Sequence, residues 1–312
     1  LSFAGLLDAL SSDASVKQRV KRLPQSPILE PIAAHAWESS HVLNPAAIEL
    51  NGDVYIMYRA VGPDNTSVSG LARSHDGVTI VERLPEPIYV PRVKFEQKAG
   101  GPTDNSGCED VRIVRIGDHL YITYTAYDSV SNPKVAESSI SVDDFIHHRF
   151  DKWTMPEIIT PQGVDDKDAC LFSEKINGQY MILHRVSSHI CGDFVDSLNF
   201  RREKVTRCIQ IIGPRPGMWD DKKVGIAGPP IKTAHGWILF YHGITEDQQY
   251  CLGAALLDPK DPTRVIGRTS QPIMTPVLDW EKEGWIGNVV FPCGQVVRDG
   301  VIYLYYGGAD HV

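Results

Sequence analysis

The chain has 312 residues, 42% of them apolar, with 21 Pro, 26 Gly and a formal net charge of −8. That is enough apolar material for a large core, and the turn-rich composition suits an all-β fold. The negative balance removes the electrostatic basis for binding nucleic acid or an anionic membrane, and no apolar run approaches the ~20 residues that a bilayer span needs.

Residues 1–24 read as a short helical extension. Phe3, Leu6, Leu7, Leu10, Val16 and Val20 fall roughly on one helical face, with Lys17, Arg19, Lys21 and Arg22 following. A secretory leader carries its positive charges before the apolar stretch, not after it. The expectation is a helix packed on the rest of the chain, with a subunit contact in a homo-oligomer as the alternative.

From residue 25 to 312 one phrase returns five times. It reads Asn51-Gly-Asp-Val-Tyr-Ile-Met-Tyr58, Gly117-Asp-His-Leu-Tyr-Ile-Thr-Tyr124, Asn177-Gly-Gln-Tyr-Met-Ile-Leu-His184, His235-Gly-Trp-Ile-Leu-Phe-Tyr-His242 and Asp299-Gly-Val-Ile-Tyr-Leu-Tyr-Tyr306. Its glycines are 65, 61, 58 and 64 residues apart. Each copy is a tight turn feeding a strand with period-2 alternation. One such strand per ~60 residues is too sparse for a solenoid but fits blades of about four strands. The predicted fold is therefore all-β, a five-bladed β-propeller, rather than a sandwich with look-alike hairpins. Pro-Ile phrases at Pro27–Pro31, Pro87–Pro91, Pro156–Pro161 and Pro272–Pro276 suit short outer strands, because proline lacks the N–H a central ladder needs. Further strand phrases run Gly70–Asp76, Ala136–Phe145 and Ala254–Asp258. A further strand is expected after Asp310 to complete the last blade.

Six cysteines (Cys108, Cys170, Cys191, Cys208, Cys251, Cys293) show no paired spacing and read as buried thiols of a cytoplasmic protein. No Cys/His spacing matches zinc, and neither a phosphate-cradling Gly loop nor a Gly-x-Ser-x-Gly elbow is present. No metal or organic cofactor is expected. In a propeller, strand ends around the central channel carry function. Arg59, Arg185, His242 and Asp310 close repeated strands. Asp110 precedes a strand start, Asp165-Asp-Lys-Asp-Ala169 comes before the third repeat, and Lys222–Pro230 before the fourth. A single such charge is usually a solvated loop residue. Matching positions in five blades would instead bring two carboxylates and several cations to one channel. Trp219, Trp280 and Trp285 could stack on sugar rings, but large aromatics in such loops usually fill gaps between blades.

The stretches Gly107-Cys-Glu-Asp-Val-Arg-Ile113, Lys167-Asp-Ala169 before Glu174-Lys-Ile-Asn-Gly, His184-Arg185, Gly228-Pro-Pro before Trp237, Tyr241-His-Gly243, Phe291-Pro-Cys293 and Tyr306-Gly-Gly-Ala-Asp310 resemble glycoside hydrolase family 130. They run in order over nearly the whole chain from about residue 25. The resemblance implies an inverting β-mannoside phosphorylase or a β-1,2-mannosidase on a five-bladed propeller. It implies Asp110 as the catalytic acid, reaching the glycosidic oxygen through a sugar hydroxyl. It implies phosphate binding by Lys167, Arg185, Lys223 and His242 with Asp168 beside them, and sugar binding by Asn44, Arg59, Glu109 and Asp310. Lys167 and Asp168 stand where some members have Arg and Asn, so a bidentate fork is lost and a negative charge gained.

The chemistry agrees. Phosphate is already anionic and needs cations to hold it in line rather than a base to activate it. Inverting hydrolysis needs a second carboxylate roughly 6.5–9.5 Å from the acid. An acid beside bound phosphate is expected to have a raised pKa. A mannoside phosphorylase with inorganic phosphate as co-substrate is the first reading, and a small carbohydrate is the expected partner. A β-mannosidase and a non-catalytic glycan-binding propeller are the alternatives. Asp168, Glu109 and Glu174 keep a base available for the former, while Asp110 argues against the latter.

Overall fold

The computed structural model describes Gly5, Leu6, Leu10, residues 20–161 and residues 163–312. Strand is the dominant regular structure of the described residues, arranged as successive antiparallel units. The first unit is β1 (His41–Leu50), β2 (Asp53–Val61), β3 (Thr66–Ser74) and β4 (Ile80–Arg83). The second is β5 (Ser106–Ile116), β6 (His119–Tyr127), β7 (Lys134–Ser141) and β8 (Glu157–Ile158). A two-residue parallel contact, Thr66 with Ser106 and Ser67 with Gly107, joins these two into one eight-stranded sheet. The third is β9 (Asp166–Leu171), β10 (Tyr180–Val186), β11 (His189–Val195) and β12 (Ile209–Ile212). In the fourth, β13 (Lys223–Ile226) and β14 (Ile231–Thr233) both pair β15 (Gly236–Ile244), followed by β16 (Tyr250–Leu257) and β17 (Val265–Arg268). The fifth is the hairpin β18 (Val290–Arg298) and β19 (Val301–Gly308). The additional strand expected after Asp310 is not among the described residues.

Every repeated phrase is the second strand of its unit, with β13 and β14 counted as one interrupted first strand in the fourth, and its glycine lies in or beside the hairpin turn. Leu50 pairs Asp53 across Asn51 and Gly52, at φ 53° and 88°. Arg298 pairs Val301 across Asp299 and Gly300, at φ 49° and 72°. Two positive φ values in succession are what a two-residue turn matching the strand twist requires. The phrases at Gly70, Ala136 and Ala254 lie in β3, β7 and β16, each the strand that follows its unit's repeated phrase. Among the Pro-Ile phrases, Tyr89 bridges Ser69, β8 pairs β7 and Met274 bridges Leu252. Pro27–Pro31 forms no strand, although Ile28 and Leu29 pack on the first unit's core.

A side-chain arrangement unseen in the sequence recurs behind these strands. Tyr58, Tyr124, Tyr241 and Tyr306 donate to the buried carboxylates Glu38, Glu96, Asp220 and Glu281. Arg83, Arg268 and Arg22 reach three of those same carboxylates. In the third unit His184 replaces the tyrosine, with Nδ1 2.9 Å from Asp166 Oδ2.

The first and last units lie side by side: the Val42 amide donates to the His311 carbonyl at 3.0 Å. Gly5, Leu6 and Leu10 are helical, and Leu6 and Leu10 are buried against Ile238, Leu252 and Leu256 of the fourth unit. The rest of the expected amphipathic face, Phe3, Leu7 and Val16 with Lys17 and Arg19, lies outside the described residues.

The thiol expectation needs correcting. Cys191 and Cys208 form a disulfide, Cα to Cα 4.9 Å, and Cys208 is exposed. Cys191 on β11 pairs Gln210 on β12, so sheet pairing and not sequence spacing brings the sulfurs together. Cys108, Cys170, Cys251 and Cys293 are free and buried. Among the described residues no helix is long and apolar enough to cross a membrane.

Candidate active site

All five units contribute to one polar cluster, the first four from their first and second strands and the fifth through Asp310, just beyond β19. The expectation that Asp110 precedes a strand is corrected: it lies inside β5, between the Glu109 and Arg112 pairings, where the register to β6 shifts. Equivalent irregularities occur in β1 between Leu43 and Ala46 and in the β9–β10 pairing around Asp168. Asn44, Asp110 and Asp168 are the residues released by these bulges, at φ 48°, 52° and 51°. Asn and Asp tolerate the left-handed region better than other side chains with a Cβ. A bulge re-aims one side chain without ending the strand, and here it turns three polar groups into one place.

Asp110 Oδ1 accepts from Asn44 Nδ2 at 2.8 Å and from Arg59 Nη1 at 3.1 Å. Arg59 also donates to Glu109 Oε1 at 3.2 Å and, through Nε, to Ser67 at 2.9 Å. Lys167 Nζ lies 3.5 Å from Glu109 Oε2. Asp310 follows β19 and interacts with Asp110, Arg59, Glu109 and Lys167. Burial and then the Asp110 charge push its carboxyl up to about 7.

The second half of the cluster centres on Asp168. Its Oδ1 accepts from Arg112 Nη2 at 3.2 Å and its Oδ2 from Arg185 Nη1. Burial would raise this carboxyl, but Arg185 and Arg112 hold it below the usual range. His242 Nε2 is 3.7 Å from Asp168 Oδ2, beyond a hydrogen bond. Lys223, half-buried on β13, has its ammonium pKa lowered by burial and by Arg185. Only glycine fits at 225, since a Cβ there would sit 2.4 Å from the His242 ring and 2.5 Å from Asp168 Oδ2.

Two electrostatic expectations are corrected. His242 is not a cation in the free protein: complete burial lowers its pKa to about 3, and Arg185, Arg112 and Lys223 add to this against the pull of Asp168. Its ring contributes one N–H and one acceptor. Asp110, expected to have a raised pKa, is held below the carboxylate range instead: burial is overcome by Arg59, Arg112 and the Asn44 hydrogen bond.

Arg112 lies in the Gly107–Ile113 stretch, and sequence reasoning gives it no role. It is 1% exposed and donates to the carbonyls of Asp110 (2.6 Å), Ala227 (2.9 Å) and Ile226 (2.8 Å) as well as to Asp168. Its signal in the sequence is an arginine inside the apolar run Val111-Arg-Ile-Val114. Trp219 stacks on Tyr241 and Trp280 on Tyr306, both filling gaps. Trp285, 36% exposed, stacks on His41 with ring centroids 4.6 Å apart. Among the described residues no group of three or more His, Cys, Asp or Glu is placed to hold a metal.

A mostly-β fold that gathers carboxylates and cations from five antiparallel units is a class of scaffold whose function the family comparisons identify. A family sequence model described as beta-1,4-mannooligosaccharide phosphorylase matches residues 19–312, and the chain belongs to glycoside hydrolase family 130. It is 40% identical over 302 residues to a 1,2-beta-oligomannan phosphorylase of Thermoanaerobacter sp. (strain X514), covering 94% of this chain and 95% of that one. It is 37% identical over 305 residues to a beta-1,2-mannobiose phosphorylase of the same organism, covering 94% of each. Among solved structures, the beta-1,2-mannobiose phosphorylase of Listeria innocua, in complex with beta-1,2-mannobiose, superposes with a TM-score of 0.77 at 27% identity over 93% of each chain.

Proposed function

We propose that this protein is an inverting β-mannoside phosphorylase whose five units are the blades of a propeller spanning residues 25–312. The observation that carries the reading is a set of unpartnered polar atoms. Arg185 Nε and both ring nitrogens of His242, one an N–H donor and one an acceptor in the neutral ring, are buried without a hydrogen-bond partner, beside the half-buried Lys167 and Lys223. Buried polar atoms are rarely left unpaired, and these are suited to a small oxyanion. A hydrolase delivering neutral water has no use for them.

In this reading Asn44, Arg59, Glu109 and Asp310 hold the mannosyl unit. Phosphate, held by Arg185, Lys223, Lys167 and His242 with Asp168 beside it, attacks the anomeric carbon from the face opposite the leaving sugar. The bond from that carbon to phosphate oxygen forms as the glycosidic bond breaks, and the departing oxygen takes the Asp110 proton. One displacement inverts the centre, giving α-mannose 1-phosphate and a shortened acceptor. The Asp110 carboxyl is ionised in the free protein, so it takes up the proton it donates from solvent on substrate binding, when phosphate charge raises its pKa. The relatives' names favour a β-1,2 linkage.

The test is incubation with β-1,2- and β-1,4-mannobiose, with and without phosphate, assaying mannose 1-phosphate and free mannose. The expected result is mannose 1-phosphate from the β-1,2 substrate only when phosphate is present. Equal release of free mannose without phosphate would overturn the reading.

A further inference from the structure

We propose that Asp168 makes the anion site selective for oxyanions that carry a proton, admitting phosphate and arsenate while refusing sulfate. The inference rests on the phosphorylase reading and concerns the same site.

Asp168 is 2% exposed and is turned toward Arg185, Arg112 and His242 by its bulge. An ionised carboxylate has about four lone-pair positions and donates nothing. Two are taken, by Arg112 on Oδ1 and Arg185 on Oδ2, which leaves acceptor capacity close to the unpartnered His242 ring, whose Nε2 is 3.7 Å from Oδ2, and to Arg185, whose Nε is also unpartnered. An anion seated on those groups, with Lys223 and Lys167 beside it, therefore meets a fixed acceptor.

Sulfate at neutral pH presents only acceptors, so its oxygen and the Asp168 oxygen would face each other with no proton between them. Hydrogenphosphate and hydrogenarsenate each keep a hydroxyl, which donates to Asp168 from an oxygen that is not attacking. A site built around one buried hydrogen-bonding group rejects a near-isostere lacking the complementary atom far more strongly than it rejects a change of size. The ionisation of Asp168 is secured by its two guanidinium partners, so the acceptor is permanent across the neutral range.

The experiment is calorimetric titration of the intact protein with phosphate, arsenate and sulfate at one fixed ionic strength, repeated on Asp168→Asn. An amide both donates and accepts, and Asn tolerates φ 51°. The wild type is expected to bind arsenate within a few-fold of phosphate and sulfate roughly a hundredfold more weakly or worse. In Asp168→Asn the gap between phosphate and sulfate should collapse. Sulfate binding as well as phosphate to the wild type overturns the proposal whether or not the variant folds, and selectivity kept in a folded Asp168→Asn also overturns it. If the wild type discriminates in binding yet cleaves mannosides without phosphate, the phosphorylase reading fails and the anion selectivity stands. If it binds no anion at all, both fail.

Discussion

Asp110 and Asp168 are the bulged residues of successive first strands, at φ 52° and 51°, and one buried arginine ties them together. Arg112 donates to the Asp110 main-chain carbonyl at 2.6 Å and to the Asp168 carboxylate at 3.2 Å. The backbone of the proposed acid and a carboxylate of the proposed anion site are thus held by a single guanidinium.

Asp110→Asn should abolish turnover while preserving the fold. The amide oxygen can still accept from Asn44 and Arg59, and Asn suits the left-handed backbone, but no proton is available for the leaving sugar. General acid catalysis contributes about 10²–10⁴-fold, so kcat should fall at least on that scale. Activity near the parent level in a variant that melts like the parent would show that another group supplies the proton.

Arg185→Ala and Asp310→Ala should separate the two ligands. Losing Arg185 removes a charge-assisted contact to phosphate worth about 1.5–3 kcal/mol, raising the KM for phosphate roughly ten- to a hundredfold. Losing Asp310 should act mainly on the mannoside KM. Arg185 also pairs with Asp168, so a purely structural role would lower the melting temperature and impair both substrates alike. Two-substrate kinetics on Arg185→Ala and Arg185→Lys, with melting curves, separates these outcomes.

The pH profile should report the Asp110–Asp310 pair. Burial and the Asp110 charge keep a proton on Asp310 up to about 7, so the interacting pair retains one proton to near neutrality. Raising pH through that value removes it, and kcat/KM for the mannoside should decline. Asp310→Asn removes a like charge, which lowers the Asp110 pKa further and moves this limb to lower pH. An unchanged limb in the variant would show that the pair does not titrate together.

Tyr241→Phe should cost stability without altering either KM. The hydroxyl donates to the fully buried Asp220, which also pairs with Arg215 and Arg268. Loss of a hydrogen bond to a charged group costs about 1.5–3 kcal/mol, measurable as a lower denaturant midpoint at unchanged slope. An equal loss of phosphate affinity would place Tyr241 in the site's support.

Local chemistry determined the repeated strands. Asn51-Gly52 and Asp299-Gly300 can form two-residue turns on their own, and alternation along Val54–Tyr58 and Ile302–Tyr306 marks strands wherever they pair. The same locality made the motif around Asp110 and the Lys167-Asp168 pair readable as candidate site residues. Tertiary structure decided what depends on partners distant in sequence. The bulges at Asn44, Asp110 and Asp168 exist only against a neighbouring strand. Arg112 acquires its role from carbonyls 114 and 115 residues away, and Cys191 finds Cys208 only through the β11–β12 pairing. Whether His242 is charged was equally hidden, because a pKa is set by burial and surrounding charge rather than by residue type.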